Sequence, residues 1–361
     1  MARLTPTPIL VLNPGSSSLK ASVISEPGDE TLAREQIEWG VDEAAARRRQ
    51  AELERLIGQL EAGLEGPLAA VGYRVVHGGL RFREPTIVDD SVLEAIAELD
   101  ALAPLHNRVA VETIRVVRAL LPDLPHVACF DSAFHASLPE EAWRYALPGE
   151  WVDRWGIRRF GFHGLSVAWA VERAVAQLAR SVDDQQIVVA HLGSGCSVTA
   201  VAGGRSVATS MGYTPLEGLM MGTRSGSVDP GILLDLAGDG MSTEELADGL
   251  EHRSGLLGVS GTTASAERLE AAAASGDERA ALALRMFCRS AAAAIAAAST
   301  ALDRIDAVVF TGGIGEHSER LRTDICQRLR VLGVSDVGGP AVLVVAARED
   351  LVVGRLTTAC M

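Results

Sequence analysis

Aromatic residues make up only 4% of this 361-residue chain, against 36 glycines and a hydrophobic share of 48%. A core short of aromatic rings must be filled by aliphatic side chains, and many turns will be tight. The five cysteines, Cys129, Cys196, Cys288, Cys326 and Cys360, form no Cys-x-x-Cys pair. That spacing suits neither a disulfide framework nor a zinc knuckle, and it fits a reducing cytoplasm. Positive charge is also scarce: 33 Lys and Arg face 47 Asp and Glu, for a net charge of -14. A general nucleic-acid binder is disfavoured, although a local basic cleft is not. No basic, apolar and small-residue succession opens the chain as a signal peptide would. The alanine-rich stretch 290–300 is short and weakly apolar, so it reads as a buried helix and not a membrane span. The phosphate-binding pattern GxxxxGK[ST] is missing, so any nucleotide site must be built another way.

The length suggests two domains. Residues 9–13 and 19–24 read as two strands of a hairpin with a polar tip. A helix over 43–60, a strand over 69–76, helices over 91–102 and 106–119 and a strand over 127–130 follow, then a helix over 166–179. The grammar then repeats: a strand over 186–191, a glycine-rich tip and a strand over 198–202, which points to a duplicated domain. Helices over 242–250 and 280–302 and strands over 307–310 and 343–346 complete an α/β pattern.

Chemistry-bearing residues cluster at the ends of these elements. Met221–Gly222–Thr223–Arg224–Ser225–Gly226 places one guanidinium on a glycine-rich loop, which suits a carboxylate or phosphoryl group. Asn13–Pro14–Gly15–Ser16–Ser17–Ser18, with Lys20 close behind, can donate to phosphate oxygens or be an ordinary turn. Arg74 among valines reads equally as a cleft residue or a solvent-facing strand residue. Asp131, emerging from an apolar strand, could hold magnesium or cap the next segment. His163, between Phe162 and Gly164, could donate to a phosphoryl group or serve structure alone. The turns at His191–Leu192–Gly193–Ser194–Gly195 and Gly312–Gly313–Ile314–Gly315 could cradle phosphates or simply connect elements.

Taken in order, these segments resemble the acetate kinase family. Arg74–Val75–Val76–His77–Gly78–Gly79, Leu102–Ala103–Pro104–Leu105–His106–Asn107, Phe130–Asp131–Ser132–Ala133–Phe134–His135 and Pro215 to Gly226 carry the resemblance along nearly the whole chain. It implies an α/β fold of two duplicated ribonuclease-H-like domains, actin- and sugar-kinase-like, with an interdomain cleft. The first domain would span 1–132, completed by 351–361, and the second 133–350. It implies reversible phosphoryl transfer from ATP to acetate, giving ADP and acetyl phosphate, by a homodimer; composition adds the expectation of a cytoplasmic protein that binds neither nucleic acid nor membrane. Asn13, Arg74, Asp131, His163 and Arg224 match the family's active-site residues, with His163 and Arg224 stabilising the transition state. Val76, Leu105, Phe162 and Pro215, with Arg74, match the acetate site. Lys20, His191, Gly193, Ser194, Gly195, Gly312, Gly313, Ile314 and Gly315 match the nucleotide side. Magnesium, replaceable by manganese, would be held by Asn13 and Asp350, with Glu349 the choice after a one-residue shift, and by Asp131 through water. The chain departs from the family near 259–268, where an Asp-x-Arg that frames adenine is missing, so GTP enters as an alternative nucleotide. Propionate is the alternative acid. A nucleotide-binding regulatory protein and a sugar kinase using Asp131 as base are the alternative functions.

Overall fold

The computed structural model describes residues 7–15, 18–26, 29–38, 43–102, 107–334 and 337–361. The polar tip at Ser16 and Ser17, and the expected acetate-site residue Leu105, lie outside the described residues. The chain divides into two compact units, Met1–Phe134 with Arg348–Met361, and His135–Ala347.

The first unit is built on six strands: β1 (Thr7–Pro14), β2 (Ser18–Glu26), β3 (Glu30–Glu38), β4 (Ala70–Val75), β5 (Thr86–Ile87) and β6 (His126–Phe130). Their order is β3-β2-β1-β4-β6-β5. The first three form an antiparallel meander, and β4 and β6 continue parallel to β1. The unbroken apolar run Ile9, Leu10, Val11, Leu12 can only be a central strand covered on both faces, and all four are buried. Leu10 and Leu12 join the core formed with Leu53 and Leu56 of helix Glu43–Ala62 and Val117 of helix Asn107–Leu120. The opposite face takes the C-terminal helix Glu349–Ala359. Gly72 in β4 makes room for it, since a Cβ there would stand 2.8 Å from Val353 Cγ1. The sequence places 348–350 in the second domain. They belong to the first unit because Glu349 and Asp350 are bonded to Asn13 and Arg34 within it.

The second unit has five strands: β7 (Gln186–Leu192), β8 (Cys196–Ala202), β9 (Arg205–Thr209), β10 (Ala307–Thr311) and β11 (Ala341–Val344). Their order is β11-β10-β7-β8-β9, with β7, β8 and β9 antiparallel and β10 and β11 parallel to β7. Five strands of each unit thus follow the same order and sense. Helix Glu278–Ser299 is long and apolar enough to cross a membrane by length and composition alone. It instead buries Leu284, Phe287, Ala291 and Ile295 and packs on β7 and β8, as a core helix does.

Candidate active site

In the first unit, β4 carries Arg74 and the end of β6 delivers Asp131. The parallel register pairs Arg74 with Cys129, two residues before Asp131, so strand pairing itself brings the two charges together. Arg74 donates to Asp131 Oδ2 through Nε at 3.0 Å and Nη2 at 2.5 Å. Its Nη1 donates to Asn13 Oδ1 at 3.1 Å and lies 3.5 Å from Glu349 Oε2. Asn13 Nδ2 in turn donates to Glu349 Oε2 at 3.0 Å. Burial pulls the Arg74 pKa down, but Asp131 and Glu349 outweigh it and hold the guanidinium above its ordinary range.

Of the two acids, the fold brings Glu349 to this cluster and turns Asp350 away from it. Glu349 stands beside Asn13 and Arg74, whereas Asp350 is bonded to Arg34 at 2.6 Å and to Arg348 at 2.9 Å. Asn13, Asp131 and Glu349 offer amide and carboxylate oxygens, the hard donors that magnesium takes. Lys20 is exposed on β2 and paired in register with Asn13, so the two share a face of the hairpin. Val76, just past β4, is buried.

In the second unit, His163 is the residue before helix Gly164–Leu178 and has φ +60°, a left-handed conformation uncommon outside glycine. Such strain persists where surrounding contacts impose it. Its Nδ1 meets Ser197 Oγ at 2.9 Å, while His191 Nδ1 meets Ser166 Oγ at 2.8 Å. The two rings stack with centroids 4.2 Å apart. If the serine hydroxyl donates to Nδ1, Nε2 carries the ring proton and can donate. A Cβ on Gly195 would stand 3.4 Å from His163 Nε2 and 3.5 Å from Arg224 Nη1. The two donors therefore approach the same glycine edge. Arg224 also donates to the Pro215 carbonyl at 3.3 Å. Burial lowers its pKa, and Glu251 opposes that fall.

The expected phosphate-side turns lie together because β10 runs parallel to β7, with Thr311 opposite His191. Gly312 adopts φ +78°, and a Cβ there would come within 2.8 Å of the Leu192 carbonyl. Gly193 N–H closes its turn on the Gly195 carbonyl at 3.0 Å, and Gly222 N–H ties the Arg224 loop to Ser194 at 3.1 Å. Gly313 and Gly315 follow in helix Gly312–His317 with Ile314, which is half-buried. Phe162 is buried and Pro215 half-buried. Near the missing Asp-x-Arg, Ser265 caps helix Ala266–Ala274 and Arg279 donates to the Val259 carbonyl at 3.4 Å.

The profile of the Acetokinase family matches residues 8–338.

The chain belongs to the acetokinase family.

It is 43% identical to the acetate kinase of Deinococcus radiodurans, over 96% of either chain. Among solved structures, a Francisella tularensis propionate kinase superposes with a TM-score of 0.88 at 34% identity, covering 98% of this chain and 99% of that one. The Porphyromonas gingivalis acetate kinase also gives 0.88, at 31% identity and the same coverage. The fold is accordingly that of the acetate kinase superfamily, actin- and sugar-kinase-like, with two α/β units. The sequence alone assigned no role to Ser166 or Ser197, the partners of the two histidines. A serine is too common near glycine turns to stand out before the fold pairs it with a ring.

Proposed function

We propose that this chain transfers the γ-phosphoryl group of ATP reversibly to acetate, giving acetyl phosphate and ADP by direct in-line displacement. The observation that carries the reading is the approach of His163 Nε2 and Arg224 Nη1 to the Gly195 edge, beside the two glycine turns. The acetate kinases and the propionate kinase to which the chain is similar support the acceptor class.

The acceptor carboxylate has a pKa of roughly 4 to 5 and is ionised at neutral pH, so attack on phosphorus needs no general base. Catalysis then rests on alignment and on spreading the charge of the equatorial oxygens. In this reading Arg74 binds the acid, and Arg224 and His163 Nε2 donate to the transferring group. The phosphate chain lies on the turns at His191, Gly193, Ser194 and Gly195 and at Gly312 to Gly315, with Lys20 contributing. The family resemblance assigns the methyl pocket to Val76, Phe162, Pro215 and Leu105, the last of which lies outside the described residues. Asn13, Glu349 and Asp131 would hold magnesium or manganese, Asp131 through water. The ion, when bound, supplies positive charge against the phosphate oxygens. A hydroxyl acceptor would instead need a general base to take its proton, which an ionised carboxylate does not.

The shared strand order of the two sheets supports a duplicated ribonuclease-H-like origin. A homodimer is supported by helix Pro230–Gly238, on which no residue is buried and Leu234 is 76% exposed. A cytoplasmic location accords with five free cysteines. Acetate against propionate is a difference of one methylene, worth roughly 1 to 3 kcal/mol in an apolar pocket. Trapping the acyl phosphate with hydroxylamine, across acetate, propionate and butyrate with ATP or GTP, tests the reading. Acetohydroxamate in the presence of ATP and magnesium is expected. No hydroxamate from any of the acids would overturn it.

A further inference from the structure

The Arg224 loop is braced by a side-chain network that the reaction itself does not call for. Residues 210–218 run from the end of β9 toward Arg224, and Pro215 within them offers the carbonyl that accepts from Arg224 Nη1 at 3.3 Å. Two residues beyond Pro215, both oxygens of the Glu217 carboxylate are engaged. Arg159 Nη2 donates to Oε1 at 2.8 Å, and the Tyr145 hydroxyl donates to Oε2. Arg159 Nη1 also donates to the carbonyls of Ser210 at 3.1 Å and Met211 at 2.9 Å, where the loop begins. The Tyr145 oxygen accepts from Tyr213 N–H at 2.9 Å. Arg159 and Tyr145 thus grip both ends and the middle of one loop.

The sequence makes room for this grip. A Cβ on Gly212 would overlap both Glu217 Oε2 and the Tyr145 oxygen. The carboxylate can lie over the loop only because residue 212 has no side chain. The backbone next along the chain from Arg159 is anchored as well: Phe160 N–H donates to the Gly212 carbonyl at 3.0 Å, which ties the loop to the segment leading into Phe162 and His163. An ion pair of this kind, 19% and 33% exposed at its two side chains, adds little to stability. Its geometric consequence is larger, because misplacing a reacting or stabilising group by about 1 Å can cost about 100-fold in rate.

We propose that Glu217, clamped by Arg159 and Tyr145, is a positioning residue that fixes the Pro215 carbonyl and through it the orientation of Arg224. This rests on the reading of Arg224 as a group that touches the transferring phosphoryl. Glu217 acts through Arg224 and not on the substrates.

The experiment is a double-mutant cycle on the full-length enzyme, reading kcat per folded molecule with acetate and ATP, and thermal unfolding alongside. Tyr145→Phe removes one hydroxyl and keeps the ring; Glu217→Gln keeps the shape; Gly212→Ala displaces the carboxylate without touching its partners. In the native background each should lower kcat by about tenfold or more, a fraction of the loss expected for a full misplacement. In an Arg224→Lys background, where a single ammonium replaces the forked guanidinium, the same changes should alter kcat by less than about twofold, since neighbours acting through one group are not additive. A purely structural role would lower the unfolding temperature and leave kcat per folded molecule unchanged, and that result overturns the proposal. Equal losses in both backgrounds also overturn it, for the network would then act without Arg224. Arg224→Ala, measured alone, separates the two claims. Its full activity would remove the reading of Arg224 and the proposal with it, whereas its inactivity beside fully active network variants would remove the network role only.

Discussion

Replacing Asp131 with alanine would leave the Arg74 guanidinium inside the first unit without its main counter-charge. Asp131 is fully buried, and the Arg74 side chain is 17% exposed. Removing one member of a buried pair costs about 3 to 5 kcal/mol, because the survivor stays desolvated. Here Arg74 keeps Asn13 at 3.1 Å and Glu349 at 3.5 Å, which places the cost near the lower bound. About 3 kcal/mol corresponds to a fall of roughly 6 to 12 °C in the unfolding temperature of a unit of this size. Replacing both residues by apolar ones, Arg74→Met with Asp131→Leu, removes the stranded guanidinium and should recover part of that loss, with Asn13 still donating to Glu349. Turnover should stay low in both variants. Calorimetry separates stability from activity, and turnover assays on the same preparations complete the comparison. An unchanged transition in the Asp131→Ala protein would refute the reasoning. So would a doubly substituted protein less stable than the singly substituted one.

Two further predictions concern residues near the site. Glu349→Gln should cut turnover and raise the magnesium concentration needed for half-maximal rate, by about tenfold on the scale of a lost metal-site partner. Asp350→Asn should leave both nearly unchanged, because its carboxylate is spent on Arg34 and Arg348; titration of activity with magnesium distinguishes them, and the reverse result would restore Asp350 to the site. His135 is buried between Ser206 Oγ at 2.9 Å and the Phe162 carbonyl at 3.0 Å, and burial holds its pKa down to about 4 from 6.5. The unfolded chain therefore binds the proton first as pH falls. The stability from neutral His135 is complete above about pH 6.5 and declines toward pH 4, by up to about 3 kcal/mol. Denaturant unfolding across that window should show a flatter pH dependence in His135→Gln, and an identical dependence would contradict the assignment.

Most elements that carry the site were legible because their patterns are one-sided. The apolar run before Asn13 and the five buried residues before Asp131 could only be central strands. The sequence pattern does not show β3, β9 or the two-residue β5. β3 lies at the sheet edge with most of its residues exposed, and β9 is five residues long, so neither shows the apolar run of an inner strand. β11 was read two residues late, as 343–346, because this edge strand alternates between half-buried and exposed positions and its apolar residues continue past its end. The choice between Glu349 and Asp350 was beyond the sequence for a different reason. Both are acids at the start of one helix, and only the rotation of that helix against β1 decides which reaches Asn13. The Arg159–Glu217–Tyr145 network was invisible for the same cause, since its members stand 14 and 58 residues apart along the chain and the folded loop alone brings them together.

Turnover of acetate and ATP by Arg74→Ala and Arg224→Ala, each confirmed as folded, bears most directly on the assignment of the two guanidinium groups. Each variant should lose about 100-fold or more in kcat, the scale of one preorganised donor removed from a phosphoryl-transfer site. Near-native turnover in either one would contradict the mechanism.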